Sequence, residues 1–518
     1  MAGKKPEIPG SRPIMGYARL KPPTSHLRTN TNDSTAAVTE TVGTITSYGP
    51  TPYRGIPSSG RVVDRSARRQ RSIDVSIRQI EQTKTHSEID RRILKIKEIL
   101  GRDKWLLKKG HTLTYIGIFL FTLTLYFRPY ELIPALSGLN FLALLIAIAT
   151  LLVYIPTQFA TEGNVTAMTT EVKCVLFLAA WGVVTMPIAK NPGLAWETFV
   201  GLFSKVALMF IIMVNTLRSR ARIKWLIWLG IGVGLMLTYQ ALDMYLKGQF
   251  KTEGYRVSVD FGGMFGNPND LAIHLALFIP LAIVLGLSSR NVLSKAVYFG
   301  SSVVMAVGVM ITQSRGGFLG LIAAALVLTW KLGRRRRTMA VMVVLLFGAS
   351  FMAFAPGNYG VRMMSIVDSD LDPVGSADQR SELLKRSILV TLRNPQGIGM
   401  GNFPEVGQRN LQSHNAYTQV SAELGWLCFA AYLILLISPF RKLGMIEREL
   451  NQENNHSWLY YTAIGVQATL AAYLVSSFFG SVAYQWFVYY PIAFAVCLRR
   501  LHAERMGSAV SGMTKSVV

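Results

Sequence analysis

Three arginines and one histidine, Arg256, Arg315, Arg380 and His414, stand in polar breaks between long apolar runs. Guanidinium groups present planar forks of donors that match the oxygens of phosphate and pyrophosphate. An imidazole that titrates near neutrality can take a proton from a hydroxyl nucleophile. Positive charge held where a leaving pyrophosphate develops its own charge lowers the barrier to departure. The four residues together suit transfer of a glycosyl group from a pyrophosphate-activated donor to a sugar hydroxyl. Each also has a plainer reading. Arg256 would be a solvated loop charge, Arg315 would pair with Asp260 or Asp378, Arg380 would pair with Asp378 or Glu382, and a lone histidine is often structural.

The neighbours of these residues sharpen the reading. After Arg256 come Gly262, Gly263, Gly266, Asn267 and Pro268, a turn-forming stretch in which Asn269 or Asp270 would cap the next helix. Arg315 lies in Thr312-Gln313-Ser314-Arg315-Gly316-Gly317, where the two glycines permit close approach of a ligand or another helix. Arg380 falls in 377–392, whose pattern predicts an amphipathic helix ended by Asn394-Pro395 and followed by a turn rich in glycine. His414 sits in Ser413-His414-Asn415-Ala416-Tyr417, with Glu423 and Gly425 further on. A carboxylate would orient the imidazole, and the sequence leaves open which one. Asp368 and Asp370 have a DxD-like spacing, a weak metal signal on its own, and the cysteines Cys174, Cys428 and Cys497 form no metal or disulfide pattern.

The elements that must position these residues are membrane helices. The chain of 518 residues is 50% hydrophobic and 16% charged, with a formal net charge of +25. Its apolar runs approach bilayer-spanning length and lack the alternation of a transmembrane barrel, so helices are the remaining solution. The runs predict about twelve spans: 112–128, 132–155, 171–189, 196–216, 224–241, 270–288, 292–311, 316–331, 338–356, 416–439, 458–479 and 483–499. The basic balance could suggest nucleic acid. The Arg and Lys residues instead gather beside apolar runs, where they meet anionic lipid and set orientation.

With both termini inside, the clusters at 102–109, 218–224, 290–295, 334–337, 441–442 and 499–505 are all cytoplasmic. The same topology puts 242–269, the break at 312–317 and the loop 357–415 outside, so the four candidate residues share one face. Residues 1–85 read as a disordered basic tail, and 86–110 as an amphipathic helix lying against the membrane.

At this point the chain resembles the bacterial superfamily of O-antigen ligases and O-antigen polymerases. The likeness rests on Arg256 followed by Phe265-Gly266-Asn267-Pro268-Asn269-Asp270, on Ser314-Arg315-Gly316-Gly317, and on Ser413-His414-Asn415-Ala416-Tyr417 leading to Glu423-Leu424-Gly425. Arg380 and the stretch from Asn394-Pro395 to Gly401-Asn402-Phe403 match the family's outer loop. The resemblance implies an all-α, GT-C-like polytopic domain over 111–500, with 357–415 as a long periplasmic loop between spans nine and ten and 501–518 as a second cytoplasmic tail. It implies a bacterial inner-membrane enzyme, inverting and metal-independent, without a cofactor, whose substrate is an undecaprenyl-pyrophosphate-linked glycan. Arg256, Arg315 and Arg380 would hold the donor pyrophosphate and His414 would activate the acceptor, supported by Asn269, Asn415 and Glu423. The expected partners are the lipid-linked oligosaccharide donor, a glycan acceptor, anionic membrane lipids and polysaccharide assembly proteins, with no nucleic acid.

The leading expectation is a surface-polysaccharide polymerase. The alternatives are an O-antigen ligase that transfers the glycan to lipid A core and a protein O-oligosaccharyltransferase, because all three use the same arginine and histidine chemistry. A polyprenyl-linked glycan transporter is the rival of another class. It would be expected to carry polar residues at span midpoints and a repeat between halves; no clear repeat is seen, and the candidate residues cluster at one face.

Overall fold

A computed structural model describes residues 110–127, 141–250, 255–259, 265–334, 337–354, 359–364, 376–407 and 410–516. All belong to the compact unit His86–Val518. The expected tail, almost all of the expected juxtamembrane helix, Asp260, Asp368 and Asp370 lie outside the described residues.

The described residues form helices joined by short turns, with no β-sheet. In chain order they are α1 (Gly110–Phe127), α2 (Leu142–Glu162), α3 (Thr170–Val184), α4 (Pro192–Thr216) and α5 (Arg220–Leu246). Next come α6 (Pro268–Ser288), α7 (Val292–Thr312), α8 (Arg315–Leu332), α9 (Arg337–Phe354) and α10 (Ser376–Arg393). The last three are α11 (Ala416–Gln452), α12 (Trp458–Ser476) and α13 (Trp486–Ser516). A helix thus overlies each of the twelve predicted spans, and α10 is the amphipathic helix expected from 377–392.

The chain is a multi-pass membrane protein: among the described residues nine helices are long and apolar enough to cross a bilayer. The expected count of twelve is not reached by that measure. Helix α3 has only 15 residues, because Thr185 closes it and a single 3-10 turn, Met186–Ile188, follows with Pro187 inside it. Helix α2 reaches Glu162 rather than ending before Pro156, since a proline inside a membrane helix costs one hydrogen bond and does not force a stop. Helix α11 runs to Gln452 and α13 to Ser516, both well past the predicted ends, because their polar second halves continue as helix beyond the apolar stretch.

Burial orders the bundle. Helix α6 is enclosed over 83% of its apolar window and α12 over 72%, whereas α2 is enclosed over only 17%. Leu144, Leu145, Ile148 and Leu152 on α2 are exposed, as a lipid-facing stave requires. Around α6 the contacts are tight: a Cβ on Gly317 of α8 would lie 2.5 Å from the Cβ of Ala272. Only glycine lets these two helices approach so closely.

The two ends of the bundle differ in chemistry. At one end, buried carboxylates are ringed by cations. Glu447 of α11 pairs with Lys331 at 2.9 Å and with Arg334. Glu171 of α3 pairs with Arg499 at 2.6 Å and Lys442 at 3.2 Å. Glu162 holds Arg218 at 2.7 Å and Arg500 at 3.2 Å. Members of the basic clusters around 218, 334, 442 and 499 are therefore gathered at a single end. The opposite end carries 255–259, the α7–α8 turn, the segments 394–407 and 410–415 and the α12–α13 turn.

Candidate functional site

The first cluster is built at the amino terminus of α6. Asn267 caps that helix, its Oδ1 accepting from the Asn269 backbone N–H at 2.9 Å, and Pro268 supplies a φ already suited to the first turn. Asn269 is thereby turned inward. Its Oδ1 accepts from Arg256 Nη2 at 2.8 Å and from Ser314 Oγ at 2.8 Å. Arg256 is 2% exposed, and its Nε donates to the Thr312 carbonyl at 3.1 Å. One guanidinium therefore ties the segment 255–259 to α6 and to the end of α7.

The α7–α8 reversal takes two residues. Gln313 adopts a left-handed φ of 50°, and Ser314 caps α8 by accepting from the Gly317 N–H at 3.2 Å. Arg315 is the first residue of α8 and is buried. Arg256 thus lies within a short hydrogen-bonded chain, Arg256–Asn269–Ser314, and Arg315 follows Ser314 directly, beside the positive ends of α6 and α8. Such an arrangement favours anions.

The second cluster surrounds His414. That residue has a φ of 50°, and its backbone N–H donates to Ser481 Oγ at 2.9 Å. Asn415 caps α11, its Oδ1 accepting from Tyr417 and Thr418 N–H at 2.9 and 3.1 Å. Burial holds the His414 imidazole below its ordinary pKa, and the positive charge of Arg380 lowers it further. Arg380 is thus near enough to His414 for its charge to disfavour the imidazolium form.

The turn 477–483 lies between the clusters, and sequence reasoning passed over it as a connector. Phe479 packs on Gly316, where an added Cβ would come within 2.9 Å of its own. A Cβ on Gly480 would lie 3.9 Å from Asp270 Oδ1 in the first turn of α6. Ser481 holds His414, and the Ala483 N–H donates to Gln419 at 3.3 Å. The Gly480-Ser481 break between two apolar runs was the signal available. The four predicted residues thus form two groups, Arg256 with Arg315 and Arg380 with His414, joined by this turn.

Glu423 does other work than orienting His414. Its Oε2 accepts from the Gly401 N–H at 2.9 Å and its Oε1 from the Phe403 N–H at 3.3 Å. Alongside, Gly399 N–H donates to the Glu423 carbonyl at 2.9 Å and Trp426 N–H to the Pro395 carbonyl at 3.0 Å. These bonds are possible because α11 breaks at Gly425, whose φ is 81°. A Cβ there would sit 2.2 Å from the Pro395 oxygen. Glu423 is a clamp on the segment 395–403. Among the described residues no three His, Cys, Asp or Glu side chains converge as a metal-binding set.

Residues 300–433 match the O-antigen ligase family model. The matched stretch carries Arg315, Arg380, His414, Asn415 and Glu423, while Arg256 and Asn269 precede it. The match supports an enzyme of this type, with a glycan-transfer role in surface-polysaccharide biosynthesis. It favours the ligase alternative over the polymerase expected first. No curated protein matches the chain.

Proposed function

We propose that the protein transfers a glycan from an undecaprenyl-pyrophosphate donor to an acceptor hydroxyl, as an O-antigen ligase does. The observation that carries this reading is a half-buried His414 whose pKa is lowered by partial burial and by Arg380, linked through the 477–483 turn to the Arg256–Asn269–Ser314–Arg315 cluster. Arg315 and Arg380 bind pyrophosphate oxygens. Two donors of Arg256 are committed to Thr312 and Asn269, so this arginine mainly shapes the anion site and adds its charge. His414 takes the proton of the acceptor hydroxyl as its oxygen bonds to the anomeric carbon. The bond from that carbon to the pyrophosphate oxygen breaks with its electron pair, the lipid pyrophosphate leaves, and the configuration inverts.

In this reading the ion-paired end faces the cytoplasm and the His414 end faces the periplasm. The gathering of basic clusters at one end supports that orientation.

The test uses the full chain in lipid nanodiscs with an undecaprenyl-pyrophosphate oligosaccharide and a lipid A-core acceptor. Native protein should release undecaprenyl pyrophosphate and glycosylate the core, and His414→Ala should lower the rate by about 10²–10⁴-fold. Lengthened lipid-linked chains with an unmodified core would establish a polymerase instead. Movement of the intact donor between leaflets without pyrophosphate release would establish a transporter.

A further inference from the structure

At the ion-paired end, far from His414, a cavity of about 640 Å³ opens between α5, the α6–α7 turn and the start of α12. Arg220, Lys224 and Arg290 line it together with serines, His456 and Trp458, and its lining contains no Asp or Glu. Helix α6 separates it from Asn269: the helix has 21 residues, which at 1.5 Å per residue is about 30 Å.

Three helices begin at this cavity. Helix α5 starts at Arg220, Asn291 caps α7, and Ser457 precedes α12 without a side-chain capping bond. Their first-turn N–H groups carry partial positive charge. The Arg220 guanidinium lies 5.3 Å from the centre of the Trp458 indole ring. The polar groups here include three cations, serine hydroxyls and helix amino termini, an inventory matched to phosphate oxygens.

The rim indicates the source of that phosphate. Leu287 precedes Ser288, and Val292 and Leu293 follow Asn291, and all three are exposed. A soluble anion would leave these apolar side chains in water, whereas acyl chains would cover them.

We propose that this cavity is a binding site for the phosphate headgroup of an anionic membrane lipid, separate from the glycan-transfer site. The assignment stands independently of the reaction at His414.

The test is native mass spectrometry of the full chain released from nanodiscs of phosphatidylcholine containing a minor share of phosphatidylglycerol. The native chain should retain phosphatidylglycerol in preference to phosphatidylcholine. The combined Arg220→Gln, Lys224→Gln and Arg290→Gln variant should retain at least about tenfold less. Ser294→Trp, which fills the cavity and leaves its charges in place, should also lose the lipid and serves if the triple variant does not fold. Arg441→Gln, at the same end but outside the lining, should behave as native. Equal retention by native, triple and Ser294→Trp proteins would overturn the proposal, as would no preference over phosphatidylcholine. Added inorganic phosphate separates the sources: persistence of the lipid supports the assignment, and its replacement by free phosphate overturns it.

Discussion

His414 and Arg380 form a like-charge pair whenever the imidazole is protonated, and this sets a pH dependence. The imidazole acts as a base only when neutral. Burial and Arg380 both lower its pKa, so the acidic limb of kcat/KM against pH should lie below the ordinary histidine value. Arg380→Gln removes the second cause. The limb should then move to higher pH, in addition to any loss in donor binding, and an unmoved limb would separate Arg380 from the imidazole. Asn269 makes a second residue-scale prediction. Its Oδ1 serves both Arg256 and Ser314, so Asn269→Ala should cost about 1.5–3 kcal/mol through the hydrogen bond lost by a buried cation. Thermal unfolding in detergent reads that cost, and Asn269→Asp should retain more stability because it keeps the acceptor.

Helix α11 is two pieces in one register. The first, from Ala416 to Leu424, is bound to the segment 395–403 through Glu423 and backbone bonds, and the second belongs to the bundle. Glu423→Gln exchanges one accepting oxygen for an NH2 that cannot accept, so the N–H of either Gly401 or Phe403 loses its partner. Faster hydrogen exchange at one of those two amides should follow, with a fall in activity and no movement of the His414 limb. A shifted limb would mean that Glu423 acts on the imidazole after all. Much of this scale was legible beforehand. The apolar runs located α1 to α9 and α11 to α13, and the amphipathic pattern located α10, because period and length are local properties. The duty of Glu423 was not legible, since its partners are backbone amides some 20 residues earlier that leave no mark of residue type. The same holds for Ser481, which reaches His414 across a turn with no motif of its own. Asn269 stood out in the sequence as a possible cap and, through the resemblance, as a supporting residue, but its link to Arg256 is a matter of tertiary approach.

The bundle as a whole is fastened differently at its two ends. Glu171 and Glu447 are fully buried, each between two cations. Removing either carboxylate leaves desolvated positive charge, so Glu447→Ala should destabilise the fold by about 3–5 kcal/mol, measured by thermal unfolding. The membrane orientation is open to direct labelling, because Cys174, Cys428 and Cys497 are all buried and give a low background. Glu405→Cys, exposed near the clamp, should react with an impermeant maleimide added outside spheroplasts, whereas Asn291→Cys should react only after the membrane is opened. The reverse pattern would invert the assigned topology. One consequence of the Glu423 clamp concerns how such an enzyme changes over generations. The carboxylate grips peptide N–H groups, which every residue but proline supplies, so the path of this segment does not depend on its outward side chains. Exposed Gln396 can be exchanged while the trace of the chain stays put. The outward surface of this segment is thus open to revision by single substitutions within an unchanged scaffold.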